Sequence, residues 1–167
     1  MKLEKFRVKK WAAVYANDDF ICVETCSGMR SYAGDTSGKL LFVKLQDEPA
    51  VLGAALVEAL SASRFLQPEE LGSFFDPSSL ELRYEEWVTG LLQRFGYTSR
   101  KALFKRMKHC AVDQSCGVIT VRPTNHEKLE AWSGDGINES QYVQISEESS
   151  SQEIGKAVLL ALSRCVD

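Results

Sequence analysis

Two ten-residue segments far apart in the chain share one pattern, and this constrains the fold more than any other feature. Leu52-Gly53-Ala54-Ala55-Leu56-Val57-Glu58-Ala59-Leu60-Ser61 and Ile154-Gly155-Lys156-Ala157-Val158-Leu159-Leu160-Ala161-Leu162-Ser163 match in Gly, Ala, Ala, Leu and Ser at one constant offset. In the first, Leu52, Ala55, Leu56, Ala59 and Leu60 fall at i, i+3, i+4, i+7 and i+8, the apolar stripe of an amphipathic helix. Each segment follows a strand-like run, Phe42-Val43-Lys44-Leu45 or Tyr142-Val143-Gln144-Ile145. A glycine in the first turns weakens a helix by up to ~1 kcal/mol against alanine, so its presence in both copies points to a close backbone approach. The pattern fits either an internal strand-helix duplication or two amphipathic helices converging on one pattern. Both readings predict that the two helices pack on one face of one sheet.

The rest of the chain reads as α+β. After Trp11–Ala16 and a turn at Asn17-Asp18-Asp19, Phe20–Cys26 is a strand by its β-branched and aromatic content. Ser27-Gly28 turns the chain, Met29–Ala33 is a weak strand, Gly34–Gly38 a second turn and Leu40–Leu45 a third strand. Two tight connections in succession predict an antiparallel meander. Asp47 or Glu48 can cap the helix that follows, with Pro49 in its first turn. Gln67-Pro68-Glu69-Glu70 and Asp76-Pro77 punctuate a linker. Tyr84, Trp87, Val88, Leu91, Leu92 and Phe95 then form a strong amphipathic helix that stops at Gly96. A further helix capped by Thr98 or Ser99 runs to about His109. Cys110–Ser115 and Val118–Val121 form a hairpin about Cys116-Gly117, Ser133–Gly136 is a loop, Tyr142–Ile145 a last strand and Ser149–Cys165 a last helix. The expectation is a single domain over residues 1–167, with a largely antiparallel sheet and about four helices.

Bulk properties exclude several classes. Charged residues make up 26% and hydrophobic residues 44%, which argues against disorder. No apolar run approaches the roughly 18 residues of a membrane span. The charged start Met1-Lys2-Leu3-Glu4-Lys5 carries no secretory pattern, so the expected location is the cytoplasm. Cysteines number five, an odd count at irregular spacing, which favours free thiols.

Charge is unevenly placed. Arg83 to His109 holds seven basic and two acidic residues, and Glu127 to Glu153 seven acidic residues against Lys128. A basic helix at Ser99–His109 after the Gly96 break, with the basic arm Lys2–Lys10, is compatible with a small DNA-binding regulator; a solvated face on a packed helix is the plainer reading. His109, Cys110, Cys116 and His126 do not match zinc-ligand spacing. No cysteine stands out as a nucleophile paired to either histidine. Gly134-Asp135-Gly136 lacks the Lys-Ser/Thr of a phosphate loop. No metal, cofactor or catalytic residue is expected.

The stretch Arg83–Gly136 is the least generic. Taken with Asn17-Asp18-Asp19-Phe20-Ile21, Leu52-Gly53 through Ser63-Arg64, Arg83-Tyr84-Glu85-Glu86-Trp87, Phe95-Gly96-Tyr97, Leu103-Phe104-Lys105, His126–Trp132 and Ile154-Gly155 through Cys165, the chain resembles the immunity proteins of bacterial contact-dependent growth inhibition (CDI) systems over nearly its whole length. The resemblance implies a protein that catalyses nothing and binds the C-terminal toxin domain of a cognate effector, often a nuclease, as a monomer in a 1:1 complex. It implies no direct contact with nucleic acid or membrane. Some members of this group accept a toxin hairpin as an added strand, for which Met29–Ala33, with Met29 and Ser31, and Val118–Val121 are the candidate edges. An acidic plug is the other mode, with Glu130, Trp132, Asp135 and Glu139 as candidate contacts that steer a basic partner. The plainer reading of Trp132 is a core anchor, and Asp135 between two glycines also reads as the cap of a turn.

Overall fold

The computed structural model describes residues 8–167. The basic arm therefore lies mostly outside the described residues. The chain runs β1 (Lys10–Ala16), β2 (Ile21–Gly28), β3 (Tyr32–Gly34), β4 (Leu40–Val43), α1 (Pro49–Ser61), α2 (Pro68–Phe74), α3 (Pro77–Phe95), α4 (Arg100–Phe104), β5 (Lys108–Ser115), β6 (Val118–Pro123), β7 (Asn125–Lys128), β8 (Ala131–Ser133), a 3-10 turn (Glu139–Gln141), β9 (Val143–Ser146) and α5 (Ser151–Ser163). This is the expected α+β class. Seven strands form one antiparallel sheet in the order β3-β2-β1-β5-β6-β9, with β4 also on β2, and β7-β8 form a separate hairpin.

The order is a palindrome about the β1–β5 pair. β4-β2-β1 on one side mirrors β9-β6-β5 on the other, and the third strand of each unit leads into a helix, α1 or α5. After each helix the chain returns beside its unit's second strand, as Phe65 bridging Gly28 at the end of β2 and as Val166 bridging Asn125, which opens β7 just past the end of β6. The sequence repeat is thus a repeat of topology.

Both helices lie on one face, as expected. Ala12, Val14, Val23, Val43, Cys110, Val112, Ile119 and Val121 from the sheet meet Leu52, Leu56, Leu60, Ile154, Val158 and Leu162 in one buried cluster. The two glycines sit where the helices cross. A Cβ on Gly53 would come 1.8 Å from the Ser151 carbonyl oxygen, and one on Gly155 1.8 Å from the Pro49 carbonyl oxygen. Gly53 and Gly155, Pro49 and Ser151 are equivalent positions of the repeat, so the crossing is symmetric. Only glycine allows backbones this close.

The opposite face is covered differently. Tyr15, Phe20, Cys22 and Phe42 from the first unit pack against Tyr84, Trp87, Val88, Leu91, Leu92 and Phe95 of α3 and Leu103, Phe104 and Met107 around α4. Phe20 stacks on Phe95 with ring centres 3.9 Å apart. Asp76 caps α3 by accepting from the Ser79 N–H at 3.1 Å, and Gly96 ends it with φ 70°.

Several expectations need correction. The meander does not run through residues 29–33: β2 extends through Ser27 and Gly28, the turn falls at Met29–Ser31, and β3 and β4 lie end to end along the same edge of β2. The excursion between them is pinned by Asp35, whose carboxylate accepts from the Ser27 hydroxyl (2.6 Å), Ser37 (2.6 Å) and Arg64 (2.8 Å). The linker is partly helical, because the side chain of Glu70 returns to the Gln67 N–H and closes a capping box at α2. Glu48 stands at the α1 cap without a side-chain bond, whereas Ser99 caps α4.

The basic helix ends at Phe104 rather than near His109, because Lys108–Ser115 is drawn into pairing with β1 (Ala16 opposite Lys108, Ala13 opposite Ala111). Tertiary pairing overrides helix propensity here. Val118–Val121 is no edge, since β6 pairs with β5 on one side and β9 on the other. The expected hairpin is otherwise in place: Ser115 faces Val118 across a two-residue turn in which Cys116 (φ 52°) and Gly117 (φ 80°) are both left-handed.

Candidate functional site

The aromatic face of the sheet holds a cavity of about 430 Å³, bounded by Tyr15 and Glu24 on the strands, Ala33–Thr36 and Gly38–Leu40 around the Asp35 loop, and Leu80, Arg83, Tyr84, Glu86 and Trp87 on α3. Strand alternation aims Glu24 into it. Ile21, Val23 and Thr25 point to the α1/α5 side, and Cys22, Glu24 and Cys26 to the other. Burial pushes the Glu24 carboxyl up to about 7. No hydrogen bond or ion pair to Glu24 exists among the described residues. Tyr15 is also raised, by burial and then by the Glu24 charge. The Trp87 indole N–H is buried without a hydrogen-bonded oxygen; the Cys22 thiol beside it is a weak acceptor at most.

Of the other charged groups of the lining, Arg83, Lys39 and Asp35 are occupied. Arg83 donates to the Gly34 carbonyl (3.2 Å) and the Phe74 carbonyl (2.9 Å) and lies 4.4 Å from the Phe74 ring centre. Lys39 pairs with Glu58 at 3.8 Å. Burial works to raise Asp35, but its bonds from Arg64, Ser27 and Ser37 prevail and bring it to about 2. Glu86, at the rim, is exposed and has no partner among the described residues.

Tyr84 joins this cavity to the β7–β8 hairpin. Its hydroxyl donates to Glu130 at 2.7 Å, and Arg100 forks between Glu130 (3.1 Å) and Glu85 (3.0 and 3.1 Å). Trp132 donates its indole N–H to the Met107 carbonyl at 2.9 Å and lies among Tyr15, Phe104, His109 and His126, stacked on the last at 4.9 Å. Glu130 and Trp132 therefore anchor the hairpin to α3, α4 and the sheet. Asp135 and Glu139 are exposed, Asp135 in the turn after β8 and Glu139 in the 3-10 turn. Met29 is half-buried and Ser31 exposed, in the turn that leads into the edge strand β3. The structure thus gathers the cavity, Glu130 and Trp132 on one face and sets Met29 and Ser31 along the adjoining edge.

Sequence reasoning passed over Glu24, although a lone carboxylate inside the apolar run Phe20–Cys26 is the signal that could have found it. Tyr15 and the Asp35 loop left no such mark.

Cysteine and histidine do not converge. Cys22, Cys26 and Cys110 are buried thiols raised by their surroundings, by burial first for Cys22 and Cys26 and by the Cys165 contact first for Cys110. His109 and Cys110 point to opposite faces of β5, and burial holds His109 down to about 4. Among the described residues no three His, Cys, Asp or Glu side chains gather as metal ligands, and no helix is long and apolar enough to cross a membrane. The basic stretch is also partly neutralised: Arg100 by Glu85 and Glu130, Arg106 by Asp18. A five-residue α4 does not supply the reading helix that the DNA-binding alternative required.

Comparison with known proteins gives a consistent result. The family model for CdiI, the CDI immunity protein, matches residues 10–165. The immunity protein CdiI-YPIII of Yersinia pseudotuberculosis serotype O:3 (strain YPIII) is 40% identical, the match spanning 93% of this chain and 94% of that protein. A chain of the CdiA-CT/CdiI toxin and immunity complex from Yersinia pseudotuberculosis superposes with a TM-score of 0.90 at 40% identity, over 96% of this chain and 99% of that one. A Neisseria meningitidis protein of unknown function superposes with a TM-score of 0.88 at 34% identity, over 99% of each. A match over nearly the whole length, in sequence and in three dimensions, places the chain with binding proteins and sets the enzymatic readings aside: it belongs to the CdiI family of CDI immunity proteins.

Proposed function

We propose that this protein binds the C-terminal toxin domain of a cognate CDI effector and neutralises it, protecting the cell that makes both. The toxin in this reading is a nuclease, the complex is 1:1, and it forms in the cytoplasm without direct contact to nucleic acid. The observation that carries the reading is the likeness, at a TM-score of 0.90 and 40% identity, to a chain of a toxin and immunity complex.

Two features of the surface support it. Glu127 to Glu153 carries seven carboxylates against one lysine, and of these Asp135 and Glu139 are exposed on the loops after β8. A nuclease presents a basic cleft to its substrate, so such a surface steers the encounter and raises the association rate more than it sets affinity. The edge strand β3 has a strand on only one side, and Met29 and Ser31 stand at its entrance; an incoming strand pairs there through main-chain hydrogen bonds. We assign the contact to this edge and to the carboxylate-bearing loops around Glu130, Trp132, Asp135 and Glu139.

Co-expression with the effector C-terminal region encoded beside this chain tests the assignment. The expected result is a stoichiometric complex, rescued growth, and loss of the toxin's nuclease activity on mixing. A folded toxin domain that forms no complex and is not restrained would overturn the reading. A complex whose toxin cleaves no nucleic acid when free would overturn the nuclease assignment alone.

A further inference from the structure

The cavity beside β3 combines features that a packing defect does not require. A carboxylate, Glu24, is aimed into it from the sheet, half-buried and without a cation. Its floor is kept low by small residues: a Cβ on Gly34 would lie 3.4 Å from Glu24 Oε2. Aromatic rings wall it, Tyr15 and Trp87 with centres 4.8 Å apart and Tyr84 5.9 Å from Trp87. The two cations in the lining are committed elsewhere, Arg83 to the Gly34 and Phe74 carbonyls and Lys39 to Glu58.

We propose that this cavity receives a lysine or arginine side chain of the bound toxin domain, its cation on Glu24 and its stem among Tyr15, Tyr84 and Trp87. The assignment deepens the toxin-binding reading above and rests on it.

The chemistry of the lining selects this occupant. A carboxylate drawn out of water without a counter-charge is destabilised, and an organic cation relieves it. The faces of tryptophan and tyrosine attract such a cation and pack its methylenes. A divalent metal ion would need several converging oxygens, and here Asp35 is saturated by Arg64, Ser27 and Ser37. Ala33 and Gly34 of β3 form one wall, so a chain docked on that edge passes the mouth of the cavity, and Glu86 at the rim adds a second carboxylate on the way in.

The charge balance also sets the direction of the pH effect. Facing Glu24 are Tyr15 from β1, Cys22 and Cys26 from β2, Asp35 and Lys39 from the loop, and Arg83, Tyr84 and Glu86 from α3. The tyrosines and the two thiols stay neutral near pH 7, because their ionisation lies higher still. Asp35 stays charged. Glu24, held near 7, changes charge between pH 6 and 8. Cation binding favours its ionised form, so affinity rises with pH across that window.

Titration calorimetry of the toxin domain at pH 6 and pH 8 tests the assignment, with wild type, Glu24→Gln, and Glu81→Gln on the exposed surface of α3 outside the cavity. Glu24→Gln is expected to weaken binding at pH 8 by about thirtyfold or more, as for a buried charge pair that loses one member. It should also flatten a pH dependence that in wild type is about tenfold. Glu81→Gln should stay within about twofold. Replacing the inserted lysine or arginine by methionine should cost wild type far more than it costs Glu24→Gln, a non-additive cycle that names the residue. A Glu24→Gln protein that melts at or above the wild-type temperature excludes misfolding as the cause of weak binding. A complex indifferent to Glu24→Gln would overturn the cavity assignment and leave the toxin-binding reading standing. Absence of any complex with wild type would overturn both.

Discussion

The two faces of the sheet are made from the same strands by alternation, yet they are built to different ends. The α1/α5 face is apolar and symmetric, closed by two equivalent helices whose glycines bring their backbones together. The α3/α4 face packs on strands of the first unit, is dominated by aromatic rings, and encloses a cavity with a carboxylate unpaired among the described residues. The first face holds the fold together. The second accepts local instability at Glu24, the kind of compromise that a binding site makes and a core does not.

Glycine separates the two faces most sharply. Gly53→Ala and Gly155→Ala should each lower stability in urea unfolding by about 3 kcal/mol, because the new methyl meets a backbone carbonyl across the crossing. Gly90→Ala in the exposed middle of α3 meets nothing within 4 Å, and should raise stability by up to ~1 kcal/mol. Equal losses at the two crossing glycines would support the symmetry; a loss at only one would break it.

Next in size is Glu24. Its carboxyl is raised to about 7 in the folded protein against the ordinary 4.5. Below pH 4.5 the group is protonated in both folded and unfolded states and has no effect. As pH rises from 4.5 through 7 the unfolded state ionises first, and the penalty on the native state grows to ~3 kcal/mol, an upper figure. Glu24→Gln should therefore stabilise the free protein at pH 8, with most of the gain gone by pH 5, when unfolding is measured at both. No difference at pH 8 would mean that the cavity solvates its carboxylate well.

Smaller effects belong to the periphery. Glu130→Ala leaves the Tyr84 hydroxyl without its acceptor and halves the fork of Arg100. With Arg100 and Glu130 both partly exposed, the loss should be about 1 kcal/mol. Cys116→Asn, in a turn where both residues are left-handed, should gain a few tenths of a kcal/mol, since Asn-Gly favours that geometry. It touches neither face, and a larger change would point to an unrecognised role for the exposed thiol.

How far the sequence discloses this architecture depends on the range of the interaction. Periodicity marks α1, the second half of α3 and α5, whose stripes Leu52–Leu60, Tyr84–Phe95 and Ile154–Leu162 are local patterns. Gly53 and Gly155 signal a close approach by sequence alone, because the same costly residue stands twice at one position of the repeat. Pairing partners are not legible. Leu40–Val43 is a good strand in isolation, and nothing local says that it lies on β2 rather than on β3. Residues 105–109 follow a helical pattern until β1 claims the next strand. The candidate contacts show the same limit. Glu130 and Trp132 stand out by composition, but their bonds to Tyr84, Arg100 and Met107 depend on how the hairpin folds back. Glu24 is visible as a polar residue within an apolar strand, whereas Tyr15, Tyr84 and Trp87 become its walls only when α3 docks.

Hydrogen exchange of the protein alone and in complex with its cognate toxin domain tests most directly the claim that one face holds the fold and the other the partner. Protection is expected to rise in residues 29–40, 80–87 and 127–141, with α1 and α5 unchanged. Protection gained along the outer surfaces of α1 and α5, with the β3 edge and the cavity wall unaltered, would contradict the account.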